Sequence, residues 1–370
     1  VNGTVVRQVV LKLHSRCNLS CTYCYVYHGV DQSWRRQPVT MTGETLARVA
    51  DRLGEHVREH GLSQISVVLH GGEPLLAGHD GVAAALAAIR AAVPDARFGM
   101  QTNGILLDER FLETFHRYGV RVGVSLDGGR RANDRRRRHA NGRGSYDRAA
   151  AGLRLLGRPE HRDRYAGVLC TIDLRNDPVR VFEDLLAFEP PSIDLLLPHG
   201  NWTDPPPRPP GTGSYADWLI AVFETWYGAP RARTGIRLFE SMIMRMLGGS
   251  SSTEAIGGDQ PGIVVIETDG SYEQNDALKT TVDGGAATGL DVRSHSLDEV
   301  AGHLATAAPV QPAAECRACP VGSVCGGGLR AHRFRDGSFE QPSVYCPDLF
   351  AVIRHIERRV RADLGQRTGQ

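Results

Sequence analysis

Cys17-Asn18-Leu19-Ser20-Cys21-Thr22-Tyr23-Cys24 decides how this chain of 370 residues is read. Three cysteines spaced Cys-x3-Cys-x2-Cys stand directly after the β-branched run Val5–Leu13. Clustered cysteines in a chain with no visible secretory signal point to metal ligation in a reducing compartment, not to a disulfide framework. Thiolates are the usual ligands of iron–sulfur clusters. Three of them on a cubane leave one iron without a protein ligand, the vacancy that catalytic metal sites keep for a substrate. A structural zinc with a fourth ligand such as His28 is the alternative that the spacing leaves open.

Outward from this loop, strands and helices alternate. Thr42 caps a helix running to His60, with Leu46, Val49, Leu53 and Val57 on one face. Short apolar strands are expected at Ile65–Leu69, Arg97–Gln101, Arg121–Leu126, Ala166–Ile172 and Ile193–Leu197. Helices are expected between them at Val82–Ala92, Glu109–Tyr118, Tyr146–Leu156 and Val179–Ala187. With Val5–Leu13 this makes six βα units, which predicts an α/β fold, a partial (β/α)6 TIM-type barrel with right-handed crossovers. The chemistry of such a fold belongs at the C-terminal ends of its strands.

A proline-rich break, Pro205 to Gly213, follows the sixth strand. Helices at Tyr215–Tyr227 and Leu238–Leu247, a hairpin of Ile263–Glu267 with Ser271–Gln274, and a last helix at Leu349–Val360 complete the reading. The expected division is 1–234 for the barrel and 235–370 for a second, cysteine-bearing domain. Charges nearly cancel, 43 Lys+Arg against 42 Asp+Glu, so nothing in the balance calls for nucleic acid. No apolar run is expected to approach the ~20 residues of a membrane span. A cytoplasmic protein is expected.

The loops after the second, third and fourth strands carry motifs, as the loop after the first does. His70-Gly71-Gly72-Glu73-Pro74 follows the second strand, Gln101-Thr102-Asn103-Gly104 the third and Ser125-Leu126-Asp127-Gly128 the fourth. Glycines permit close backbone approach, and a glutamate accepts from an ammonium. Each motif alone is a common turn; in order, each after a strand, they are specific. Six arginines crowd Arg130 to Arg138, which reads as a solvated loop or a basic patch. Together these motifs resemble the radical SAM superfamily. The resemblance implies a 4Fe-4S cluster on Cys17, Cys21 and Cys24 whose open iron chelates S-adenosylmethionine (SAM). It further implies that Gly71, Gly72 and Glu73 hold the methionine amino group. Thr102, Asn103, Ser125 and Asp127 would contact ribose and carboxylate, Arg137 would meet the carboxylate, and Tyr23 would lie near the adenine.

A second group, Cys316-x2-Cys319-x5-Cys325-x20-Cys346, supplies four thiolates, enough to close one cubane or one zinc site. The spacing resembles the SPASM domain of radical SAM peptide maturases. Leu329 and Asn275 stand where that pattern has further cysteines, and Cys170 reads as a buried core thiol. One auxiliary 4Fe-4S cluster is therefore expected, not two. By the same resemblance Asp276 faces the substrate as general base.

Cys24–Tyr27, Asp31–Arg35, Leu69–Gly78 and Cys325–Gly328 resemble FxsB-type cyclophane-forming radical SAM/SPASM peptide maturases. That implies a ribosomal precursor peptide as substrate and an electron donor such as a ferredoxin or flavodoxin. The implied reaction joins an aromatic carbon to a side-chain β-carbon and closes a three-residue cyclophane. The protein's task is to position the peptide and to exclude water. Strand addition of the peptide to an exposed edge at Ile263–Glu267 is expected. Competing readings are a radical SAM maturase that forms thioethers or oxidises a side chain, a zinc-stabilised binding protein, and an RNA-modifying enzyme using the arginine run.

Overall fold

The computed structural model describes residues 5–257, 262–306 and 311–368. All six expected strands form: β1 (Gln8–His14), β2 (Ser66–Gly71), β3 (Arg97–Thr102), β4 (Arg121–Ser125), β5 (Tyr165–Thr171) and β6 (Ser192–Leu196). They are joined by β7 (Gly235–Ile236), β8 (Ile263–Ile266), β9 (Ser271–Glu273) and β10 (Ala287–Asp291). The chain makes two compact units, one of residues 1–126, 133–167 and 261–309, the other of 127–132, 168–260 and 310–370.

In the first unit β1, β2, β3 and β4 are parallel neighbours. Val9, Leu11, Val67 and Leu69, which share one face by the two-residue period, are fully buried, while Val10 and Val68 on the other face are half-buried. The helix Gly43–Glu59 starts where Thr42 caps it, accepting from the Thr45 N–H, and sinks Val49 and Leu53 onto the sheet. The helix Gly78–Ala92 does the same with Val82, Leu86 and Ile89. Contrary to the expectation from the sequence, the stretch Pro74–Ala92 is long and apolar enough, by length and composition alone, to cross a membrane. Here it is a 3-10 turn followed by a helix, broken at Gly78, and one face of that helix is buried.

β1 also pairs with β8, in parallel, and β8 pairs with β9 as the expected hairpin through Thr268-Asp269-Gly270. β1 covers one edge along all of Ile263–Ile266 and β9 covers the other at Val265 and Ile266, so the edge expected to receive a peptide is largely occupied. The arginine run was read as a loop, but Arg130–Arg136 is helical.

In the second unit β5 from Val168, β6 and β7 are parallel neighbours. Cys170 is 1% exposed on β5, the core thiol expected of it. The helices Tyr215–Tyr227 and Arg237–Met246 bury Trp218, Leu219, Phe223 and Phe239. The last helix starts at Cys346, three residues before the expected Leu349, and runs to Thr368. Asp348 in its first turn accepts from the backbone N–H of Ala216 and pairs with Arg208, as suits an acid at a helix N-terminus.

Candidate active site

β1 ends in a register shift beyond Lys12, and the chain turns into the cysteine loop. The Gly72 and Glu73 N–H groups donate to the carbonyls of His14 (2.8 Å) and Arg16 (3.0 Å). A Cβ on Gly71 would stand 2.3 Å from the His14 carbonyl, and one on Gly72 would stand 2.5 Å from that of Arg16. The glycine pair is thus required by close approach of the protein's own cysteine loop. From its other side the loop is held by residues 136–138. Ser20 and Thr22 donate to the carbonyls of Arg138 (2.7 Å) and Arg136 (3.0 Å).

Glu73 is 1% exposed and accepts three hydrogen bonds, from Thr102 Oγ1 (2.6 Å), Asn103 N (2.7 Å) and Leu75 N (3.1 Å). Burial pushes its carboxyl pKa up, against those donors and the nearby Arg137 charge. Glu73 therefore fastens the second motif to the third. Asn103 continues the chain of contacts, donating to Asn18 Oδ1 (2.7 Å) and approaching Cys17 Sγ (3.8 Å). Tyr23 and Arg137 meet: Arg137 Nη1 donates to Tyr23 Oη at 2.8 Å. Arg137 is also the buried arginine of its run, which singles it out among six. Ser125 accepts from Gln101 at 2.9 Å, and in the second unit Asp127 accepts from the Thr171 N–H at 3.0 Å.

Cys21 forms a buried apolar patch with Leu19 and Ile105, and Cys17 and Cys24 pack against it. Burial pushes the Cys17 thiol up to about 12 and raises Cys24. Metal loading therefore has to expel protons from these sites. Among the described residues, the groups of three ligand atoms converging within 4.8 Å are His56–His60–Asp298 and Glu267–Glu273–Asp276, and neither contains a thiol. Thiolates on a single zinc stand about 3.8 Å apart. The wider setting suits a cluster. His28, the fourth ligand a zinc site would need, instead has Nε2 3.1 Å from Ser20 Oγ.

Sequence reasoning missed the ion cluster beside this loop. The β1–β8 register sets Leu11 opposite Ile266, so Lys12 and Glu267 adjoin. Lys12 Nζ is 2.6 Å from Glu267 and 2.7 Å from Asp276. Lys279 Nζ lies 2.8 Å from Glu267 and also reaches Glu273. Burial alone would lower Lys12, but Asp276, Glu267 and Glu273 hold its ammonium well above the usual range. Burial likewise opposes the charge on Glu267, yet Lys12 and Lys279 bring it down to about 2. Glu273 is pushed up to about 8, first by burial and then by the charges of its carboxylate neighbours. Two ammoniums thus share three carboxylates, Lys12 meeting Glu267 and Asp276 and Lys279 meeting Glu267 and Glu273, and burial favours a proton on Glu273. The carboxylate triad resembles a divalent-cation site, but lysine ammoniums already fill it. Asn275, one of the positions where a cysteine was absent, accepts from the Ala277 N–H and caps the turn that carries Asp276.

In the second unit the four thiols come from two short helices, the loop between them at Cys319, and the start of the last helix. Cys316 lies in Ala314–Arg317, Cys325 ends Gly322–Cys325, and Cys346 opens the C-terminal helix. Gly326, Gly327 and Gly328 all have left-handed φ (65°, 84°, 69°), which a glycine adopts without strain. Arg333, 1% exposed, clamps this turn by donating to the carbonyls of Gly327 (3.0 Å), Gly326 (3.1 Å) and Gly328 (2.9 Å). Burial raises Cys316 and pushes Cys325 up to about 11, and the Arg333 charge opposes the first of these. Arg333 was invisible from spacing, because nothing local marks an arginine as the partner of a turn five residues earlier. Leu329 is 7% exposed among apolar neighbours, so that position contributes packing.

A three-thiol loop after the first parallel strand, with a glycine–glutamate turn behind it, defines a class. Residues 11–160 match the family model of the radical SAM superfamily, and the chain is a radical SAM enzyme. It is 25% identical to a serine-type anaerobic sulfatase-maturating enzyme of Klebsiella pneumoniae, over 92% of this chain and 87% of that one. Its fold matches native anSMEcpe with bound AdoMet at a TM-score of 0.82 and 21% identity, covering 96% of this chain and 98% of the other. Streptococcus suis SuiB bound to its precursor peptide SuiA matches at 0.60 and 12% identity, covering 91% and 75%. The fold is the partial radical SAM barrel with a SPASM-like C-terminal region.

Proposed function

We propose that the chain is a peptide maturase that joins an aromatic carbon to a side-chain β-carbon in a ribosomal precursor, closing a three-residue cyclophane. The observation that carries the peptide-modifying part is Asp276, held by Lys12 at 2.7 Å near enough to the cysteine loop for its charge to act on Cys24. The crosslink itself rests on the resemblance at Cys24–Tyr27, Asp31–Arg35, Leu69–Gly78 and Cys325–Gly328. In functional terms we assign 1–234 to the radical SAM barrel and 235–370 to the SPASM-like part. A ferredoxin or flavodoxin would supply the electron, in a reducing cytosol that keeps the thiols available.

Bound to a cluster on Cys17, Cys21 and Cys24, SAM supplies a 5′-deoxyadenosyl radical on one-electron reduction. The chain's own residues do the rest of the work. Arg137 and Tyr23 present a cation and a ring beside the loop, and the backbone of Gly71 and Gly72 shapes the turn behind it. Asn103 brings an amide donor toward Cys17 sulfur. The β-carbon hydrogen would leave with the 5′-deoxyadenosyl radical, and the electron released on rearomatisation would pass to the auxiliary cluster that Cys316, Cys319, Cys325 and Cys346 would hold. Asp276 Oδ1 is occupied by Lys12, which leaves the other oxygen to take the arene proton. Lys12 also orients that carboxylate.

The similarity to a serine-type anaerobic sulfatase-maturating enzyme favours a second reading, oxidation of one side chain without a crosslink; two-electron oxidation of a primary hydroxyl gives an aldehyde. Anaerobic turnover of a precursor peptide separates the two. A cyclophane resists backbone fragmentation across three residues and shows an aryl–Cβ bond by NMR, whereas an aldehyde is captured by hydroxylamine. The crosslink reading expects the first result, and capture of the product by hydroxylamine overturns it. Asp276→Asn should slow crosslinking by about 10²-fold or more while leaving peptide-free SAM cleavage in place. Full turnover in that variant would remove the base assignment.

A further inference from the structure

On the helix Gly43–Glu59, one face ends in two imidazoles. His56 and His60, the latter the C-cap residue, stand one turn apart, so their side chains share a face. Opposite them is Asp298, in the first turn of the helix Leu297–Thr306. His56 Nδ1 lies 2.9 Å and His60 Nε2 2.7 Å from Asp298 Oδ1. The three ligand atoms converge within 4.8 Å of one another. The two rings are tilted by 51° with centroids 4.6 Å apart.

The buried ring carries the argument. His56 is 1% exposed, and its Nε2 lies 3.0 Å from the Val6 carbonyl. A carbonyl only accepts, so Nε2 bears the proton, and in the neutral tautomer Nδ1 is a bare lone pair. That Nδ1 has no hydrogen-bond partner among the described residues, although Asp298 Oδ1 is 2.9 Å away. The contact lies off the hydrogen-bonding direction of the ring nitrogen. A nitrogen lone pair and a carboxylate oxygen at this distance, with no proton between them, leave a buried acceptor facing negative charge. A divalent cation in front of Nδ1 resolves that conflict. It would take Nδ1, the His60 nitrogen and a carboxylate oxygen together. The Nε2–H···O=C bond to Val6 is the second contact by which proteins fix the tautomer and aim of a ligating histidine.

We propose that His56, His60 and Asp298 form a divalent-cation site, best suited to zinc, with water completing its coordination. Two imidazoles and one carboxylate match zinc's ligand preferences, and no thiol takes part. The site is separate from both cysteine groups and does not depend on the crosslinking assignment. Its effect is structural. It fastens Leu297–Thr306 to Gly43–Glu59, and so closes the segment that carries β8, β9, β10 and Asp276 back onto the helix preceding β2.

The test uses the full chain with its clusters assembled anaerobically, incubated with zinc, desalted and analysed for zinc and iron together. The proposal expects about one zinc per chain beyond the iron content. That zinc should survive in the Cys17→Ala/Cys21→Ala/Cys24→Ala variant. His60→Gln and Asp298→Asn, both at partly exposed positions, should fold and weaken zinc binding by about 10- to 100-fold. Zinc should raise the melting temperature of the wild type and of neither variant. With cobalt as the probe, the wild type should add visible d–d bands without a sulfur-to-metal charge-transfer band. Equal zinc content in wild type and both variants, zinc lost with the cysteines, or a wild type with no added zinc and no thermal shift would each overturn the site.

Discussion

The two cysteine groups solve the same task in opposite ways. The first packs three thiols into one eight-residue loop and backs them with apolar side chains. The second gathers four thiols from a 31-residue stretch, and a buried arginine holds the turn between them. A short loop already brings its ligands close, so the surrounding fold needs only to dry the site and leave one position open. A dispersed set has no such local constraint. Its geometry depends on three left-handed glycines and on Arg333 satisfying their carbonyls. The difference suits an open, reactive centre in one unit and a closed one in the other.

Deleting the cysteines probes that contrast hardest. Two cubanes predict about eight iron per chain, falling to about four in a Cys17→Ala/Cys21→Ala/Cys24→Ala variant with SAM cleavage abolished. Removing Cys316 and Cys346 should also leave about four iron, but with peptide-free SAM cleavage retained. Iron and sulfide counts with a 5′-deoxyadenosine assay decide both, and cleavage lost from either variant alike would erase the distinction.

Next in size are the buried cations. Arg333→Met strands three carbonyls and should cost about 3 kcal/mol, with iron lost from the second group first. Lys12→Met leaves Glu267 and Asp276 without their shared ammonium and should cost about 3–5 kcal/mol, with iron content unchanged. Denaturant melts of the assembled proteins measure both, and equal iron loss in the two variants would break the comparison.

The smallest effect is a pH dependence confined to the first unit. Glu273 titrates near 8 when folded, against an ordinary value of 4.5. The folded chain therefore binds that proton more tightly, and this stabilising contribution, complete below about pH 4.5, fades as pH rises toward 8. Glu267 acts in the other direction: held at about 2, its contribution is present above 4.5 and fades as pH falls toward 2. Glu273→Gln should flatten the fall in melting temperature between pH 5 and 8 by a few degrees and leave the acid limb unchanged. An unaltered profile would show that Glu273 is ionised at neutral pH.

Much of this protein is legible along the chain. Six strands, the helices between them and the motifs after the first four follow from apolar periodicity and turn chemistry, which are local properties. The cysteine spacing names the donor sets for the same reason. Cys170 is legible too, as the core thiol of a strand, whereas Asn275 and Leu329 are legible only as positions without a thiol, and the fold makes one a cap and buries the other.

What the chain order conceals is what distant segments do to one another. Pairing of β8 with β1 occupied the edge expected to receive a peptide and brought Lys12 against Glu267 and Asp276, 255 and 264 residues away. Arg333 became a clamp only because its turn folds back on the glycines. Glu73 looked like a ligand for an ammonium and is largely occupied in joining its own turn to Thr102 and Asn103. His56 and His60 show a shared helical face in the sequence, but Asp298 and the Val6 carbonyl meet them only in the fold. Periodicity and spacing report on neighbours within a turn or two. Buried charge has to be matched by whatever the tertiary structure places beside it, and that pairing is decided by strand register and packing.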